Sequence, residues 1–293
     1  MASETKVRQV LPGLTFLFYV ASALVLLAAL QLFVLSSRTD QFFAWTIAVP
    51  LTAAVDGAFY LAAFFLLFPA TRGRTWAEVT PISWGVLAVS IMKLAATLLH
   101  TGLFHFHEGE TTARIAAWGW LAVYVVVPVA LAALIVAELR TPGADPPARD
   151  LMTRPFRWVA GVLSAALLVT GLGLLSASAA FITRWPWPLT PLTSQALSAW
   201  FVGIGIVAGL AVRDGDRFRT RHVWAGALIL GLLQGVALLR YGSAVDWSSP
   251  YAWVYLALFV VVGLVGVWGL LMLRSATSRG DGHDSAAARA PGA

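Results

Sequence analysis

Two side chains of opposite charge stand inside apolar runs long enough to cross a bilayer. Asp56 lies in the run from about Phe42 to Phe68, and Lys93 in the run from about Ile82 to Leu103. An ionised group at the centre of a membrane span costs about 2.5–3.5 kcal/mol on insertion scales, so it needs a partner or a task. If the two runs are antiparallel neighbours, both groups fall halfway along them, at a common depth. The pair then has two readings. As structure, it is a buried ion pair that fixes helix packing and register. As function, it is a gate or proton-coupled switch, opened when a substrate or proton competes for one partner. The later half of the chain carries neutral amides near the corresponding places. Gln234 stands within one residue of the Lys93 equivalent and Gln195 stands near the Asp56 equivalent. As plain interhelical hydrogen-bonding groups they are worth on the order of 1 kcal/mol each.

A second concentration of chemistry is the stretch HTGLFHFHEGE, residues 100–110, with His100, His105, His107, Glu108 and Glu110. Arg240 occupies the equivalent region of the later half. Imidazole and carboxylate this close can ligate zinc or copper, with His105, His107 and Glu108 the candidate ligands. They can equally serve as a pH-responsive vestibule. The competing reading is a solvated loop at headgroup level, because the spacing matches no diagnostic metal motif and HEGE is not HExxH.

Other chemistries are poorly served. The chain has no cysteine, which removes disulfides, thiolate metal sites and thiol nucleophiles. There is no P-loop, no GxSxG and no GxGxxG after a strand. A bis-histidine haem needs paired histidines on facing helices, and only His100 falls within a span. No nucleophile–base pair stands out, no cofactor is indicated, and no basic–aromatic interleaving points to nucleic acid. The expectation is a protein that is not an enzyme.

The elements that must position these groups follow from composition. Of 293 residues, 59% are hydrophobic and 12% charged, with a mean hydropathy of +0.79, against roughly 25% charged in a soluble domain. The reading is an all-α membrane protein of eight spans: about 11–35, 42–68, 82–103, 115–136, 158–182, 189–212, 223–239 and 251–273. A proline-rich linker at 141–157 separates residues 1–140 from 158–274. Residues 275–293 form a polar tail expected to be unstructured. Fifteen Lys and Arg fall on the N-terminal side of the membrane and four on the other, with Lys93 inside a span. The positive-inside rule then puts both termini in the cytoplasm. Trp45, Trp118, Trp120, Trp185, Trp187, Trp247 and Trp253 fall near outer span ends, as an aromatic belt would. Gly205 with Gly209, and Gly231 with Gly235, form two GxxxG motifs, read as packing span 6 against span 7.

The two halves correspond. FAWTIAVPLTAA near Pro50 matches WPWPLTPLTSQA near Pro191; ATLLHTG (96–102) matches ALLRYG (237–242); AWGWLAVYVVVP (117–128) matches AWVYLALFVVVG (252–263). The offsets are 141, 140 and 135 residues. Three blocks in one order make a duplicated four-span unit, and an even span count gives both copies the same sense of insertion. These blocks, with DWSSPYAWVYL (246–256), resemble an uncharacterised family of eight-span membrane proteins of high-GC bacteria. The resemblance implies a bacterial inner-membrane location and brings no functional residues. Haem A synthase is similar in architecture only, since the histidines it needs in both halves are missing here. Two functions remain. One is a transporter or channel-like protein for a small polar solute or ion, with a polar site between the repeats. The other is a non-catalytic scaffold or accessory subunit bound to a membrane-protein partner.

Overall fold

A computed structural model describes the backbone of residues 7–287 and the side chains through Leu273. Among the described residues, eight helices are long and apolar enough to cross a membrane. They are α1 (Pro12–Ala29, continued by a π-helical turn, Leu30–Val34), α2 (Pro50–Ala70), α3 (Trp76–Leu99), α4 (Thr111–Arg140), α5 (Arg154–Leu175), α6 (Pro191–Asp214), α7 (Arg221–Tyr241) and α8 (Pro250–Ala287). The ends of α1, α3, α5 and α7 that come first in sequence define the proximal face, and the opposite ends the distal face.

Proline sets several of the starts. Pro12, Pro50, Pro155 and Pro191 each occupy the first turn of a helix, where a missing N–H costs nothing and φ is already helical. α6 adds a capping box between Thr190 and Thr193. Because Pro50 opens α2, the apolar residues before it cannot belong to that helix. The span expected from Phe42 therefore begins at Pro50. Thr39–Phe42 forms one short helical turn, and Phe43, Trp45 and Ile47 fold back as a buried distal plug. The linker is also shorter than its prolines suggested, since Pro155 starts α5 from Arg154. Span 5 stops at Leu175, before Ala177 turns to φ +45°. At the other end, α8 continues past the last apolar residue to Ala287. The tail expected to be unstructured from 275 is thus helical to 287, and the rest of it lies outside the described residues.

Helices adjacent in sequence pair as hairpins, α1 on α2, α3 on α4, α5 on α6 and α7 on α8. Two further large contacts, α2 on α7 and α3 on α6, join the first four helices to the last four. Direct α2–α3 and α6–α7 contacts are slight. Exchanging α1–α4 for α5–α8 maps every one of these pairings onto another. α2 and α6 are the most enclosed, each with 67% of its apolar window buried. They form the core with α3 and α7, and α1, α4, α5 and α8 form the outer ring.

The glycine motifs pack differently from the expected span 6–span 7 contact. A Cβ on Gly205 would meet Leu168 of α5 at 2.8 Å, and one on Gly209 would meet Ser164 at 2.9 Å. Gly231 lies against Gly263 of α8, and a Cβ on Gly235 would meet nothing within 4 Å. The small residues therefore close the hairpins α5–α6 and α7–α8. Two clasps tie the proximal loops. Gln9 bridges to Thr75, and Leu151 bridges to Asp216. Each joins the segment before a half's first helix to the loop between its second and third.

Of the seven tryptophans expected in the belt, six split into two groups, and Trp185 is half-buried against Trp187 and Tyr255. Trp118, Trp247 and Trp253 are exposed on the distal end, where a belt would put them. Trp45, Trp120 and Trp187 are buried in the core.

Candidate functional site

α2 and α3 bring Asp56 and Lys93 together. Lys93 Nζ donates to Asp56 Oδ1 at 3.0 Å and to Oδ2 at 3.2 Å. Asp56 is 2% exposed and Lys93 1%. Each lies six residues from the distal end of its helix, or about 9 Å at 1.5 Å per residue. The pair is therefore in the distal third of the bundle, closer to that face than the halfway point expected. The shift follows from α2 starting at Pro50 and α3 ending at Leu99.

The second half completes the site. Trp200, on α6, donates its Nε1–H to Asp56 Oδ1 at 2.7 Å. The ammonium also sits 5.2 Å from the ring centroid of Tyr60, 5.5 Å from that of Trp200 and 5.6 Å from that of Trp120. Three aromatic rings and one carboxylate enclose the cation. Each ring can contribute about 0.5–2 kcal/mol of cation–π attraction when desolvated. The surrounding polar groups are also paired. Trp120 Nε1 donates to Thr97 Oγ1 at 2.9 Å, and that hydroxyl donates to the Lys93 carbonyl at 2.8 Å. The hydroxyls of Tyr60 and Tyr124 share one hydrogen bond of 2.6 Å. Phe59 lies parallel to Trp200, with 5.8 Å between ring centroids and 5° between planes.

Of these partners, the sequence reading missed Trp200, Tyr60 and Trp120. Tyr60 was within reach, since it lies four residues after Asp56 and so on the same helix face. Trp200 carries a fainter signal. It stands 141 residues after Phe59, the offset of the first repeated block.

The amides take other partners. Gln234 donates from Nε2 to the Val55 carbonyl at 3.3 Å and accepts from the Tyr255 hydroxyl at 2.9 Å. It is thus a buried cross-link between α7, α2 and α8. Gln195 is bonded elsewhere. Its Oε1 lies 2.9 Å from His100 Nε2, linking α6 to the distal end of α3.

The distal cluster is dispersed. His105 uses Nδ1 toward the Phe43 carbonyl at 3.1 Å and Nε2 toward Thr46 Oγ1 at 3.0 Å, so both ring nitrogens hold the plug. His107 is exposed and packs edgewise on Trp118. Glu108 and Glu110 are exposed. Arg240 lies apart from them, bonded to the Phe33 carbonyl and placed over the rings of Phe33 and Tyr241. Among the described residues, no three His, Asp or Glu side chains converge to hold a metal ion.

Neither Asp56 nor Lys93 lines any of the larger cavities. A cavity of about 80 Å³ lies on the proximal side of the Phe59–Trp200 stack, between α2, α3, α6 and α7, and its walls are apolar. Larger grooves open sideways between α1 and α4 (about 420 Å³) and between α5 and α8 (about 450 Å³).

Fold and site together define a multi-pass, all-helical integral membrane protein in contact with the lipid bilayer. No protein-family model, curated protein or solved structure matches the chain.

Proposed function

We propose that the protein is a non-catalytic scaffold or accessory subunit of a membrane complex, with the Asp56–Lys93 pair as its internal lock. The observation carrying this reading is the closure of the pair. Both charges are buried, the carboxylate has three donated hydrogen bonds, the cation is boxed by three rings, and neither group lines the larger cavities among the described residues. A gate needs a route for its competitor, and the neighbouring cavity walls are apolar.

The bundle itself is read as a duplicated unit: residues 1–140 and 158–274 are two parallel four-helix repeats joined by the linker 141–157. The exchange of packing partners between halves supports this, as do the three sequence blocks. With the Lys and Arg bias, the proximal face is cytoplasmic, and the resemblance of the repeated blocks supports a bacterial inner membrane.

One observation favours transport instead. The polar site lies where the halves meet, with Trp200 of one half on Asp56 of the other, and repeat interfaces are where carriers bind solutes. In that reading, His100 and His105 to Glu110 form the outer vestibule. Flux in proteoliposomes separates the two. The lock reading predicts ion and proton leakage equal to protein-free vesicles. A flux that Asp56→Asn with Lys93→Gln abolishes would establish the carrier and overturn the scaffold.

A further inference from the structure

The groove between α1 and α4 carries an asymmetry that packing does not explain. It holds about 420 Å³ and is almost wholly apolar, yet two phenols, Tyr60 and Tyr124, line it beside Trp120. A volume of 300–1,000 Å³ is the usual range for a small-molecule site. The phenols are 2% and 8% exposed. Their hydroxyls offer two O–H donors and share a single hydrogen bond, so one buried donor is left without an acceptor. At the matching places in the second half stand Phe201 and Phe259, whose rings pack edge to face. Only the first half keeps the hydroxyls, and a buried donor without an acceptor is costly unless something accepts from it.

We infer that this groove binds a membrane-soluble lipophile whose carbonyl oxygen accepts the free phenolic hydrogen, of the class of an isoprenoid quinone. Depth selects this class over a phospholipid. Tyr60 lies ten residues from the start of α2 and Tyr124 thirteen from the start of α4, about 15 and 20 Å along their helices. That is mid-bilayer for a hydrocarbon core of about 30 Å, whereas a phospholipid's ester carbonyls stay at the headgroup boundary. A quinone ring carries its carbonyls into the hydrocarbon. The groove is open where the ring would enter. Gly119 lines it, and a Cβ there would meet nothing within 4 Å. The site is independent of the scaffold reading, since neither Asp56 nor Lys93 lines it.

The test is equilibrium dialysis of decyl-benzoquinone between protein-loaded and empty nanodiscs. The expected result is saturable excess binding of one molecule per chain. Gly119→Leu fills open space, so the fold is kept and binding is lost. Tyr60→Phe with Tyr124→Phe weakens binding about five- to tenfold, the worth of one hydrogen bond. Decylbenzene, with the same tail and no carbonyl, competes about five- to tenfold more weakly. The inference is overturned by no saturable excess, by unchanged affinity in the double phenylalanine variant, or by equal competition from decylbenzene.

Discussion

Removing one partner of the buried pair should harm the protein more than removing both. At 3.0 Å, Coulomb attraction in an effective dielectric of 20 is about 5 kcal/mol. Lys93→Met leaves the Asp56 carboxylate buried with Trp200 as its single side-chain donor. Asp56→Leu leaves the ammonium with rings alone. Each single change should cost about 3–5 kcal/mol. The double variant, Asp56→Leu with Lys93→Met, removes both charges and strands only the Trp200 N–H, worth about 1–3 kcal/mol. It should therefore be more stable than either single variant. The assay is reversible unfolding in mixed detergent micelles, arranged as a double-mutant cycle. A coupling energy of about 3 kcal/mol or more supports the lock. Additive single effects, with a double variant worse than both, refute the reasoning.

Backbone approach gives a second prediction. A Cβ on Gly57 would lie 2.3 Å from the Phe33 nitrogen in the π-helical turn, so Gly57→Ala should separate α1 from α2 and cost about 1–3 kcal/mol, read by the same unfolding assay. Gly231→Leu should disrupt the α7–α8 contact, while Gly235→Leu, which meets no neighbour, should leave the thermal midpoint unchanged. The proximal clasp should be acid-sensitive. Burial raises the pKa of Asp216, but the N–H groups of Arg149, Arg219 and Phe218 and the Arg219 charge outweigh it and hold the carboxyl below its ordinary value. Its stabilisation is therefore complete above the unfolded value near 4 and fades as pH falls through the lower folded value. Hydrogen exchange at Met152, whose N–H bonds to the Gly215 carbonyl, should quicken over that range in the wild type. Asp216→Asn should flatten the response.

Much of this architecture is legible in residue order, because a bilayer demands long apolar helices and eight stand among the described residues. The Asp56–Lys93 contact is legible for a related reason: neither charge has another opposite charge inside a span to meet. Boundaries were harder. The apolar stretch from Phe42 to Val49 looks like membrane helix by hydropathy, and only Pro50 marks where helix can begin. Partners across the bundle were hidden for a physical reason. Trp200, Tyr60 and Trp120 are ordinary membrane residues until folding turns their faces inward on one cation. Hydropathy also cannot separate a belt tryptophan from a core one, so Trp45 and Trp187 looked alike with Trp253. The GxxxG motifs announced close approach without naming the neighbour, which proved to be the hairpin partner.

Water access to the ion pair tests the central claim most directly, and a chain without cysteine suits the measurement. Ala53 is fully buried one turn distal to Asp56, between the pair and the distal face. A single cysteine at Ala53 should resist a charged, water-soluble thiol reagent in the folded protein and react once the protein is unfolded in detergent. Labelling of the folded protein at the rate of a cysteine placed at exposed Ser248 would show an aqueous path to the pair and contradict the lock.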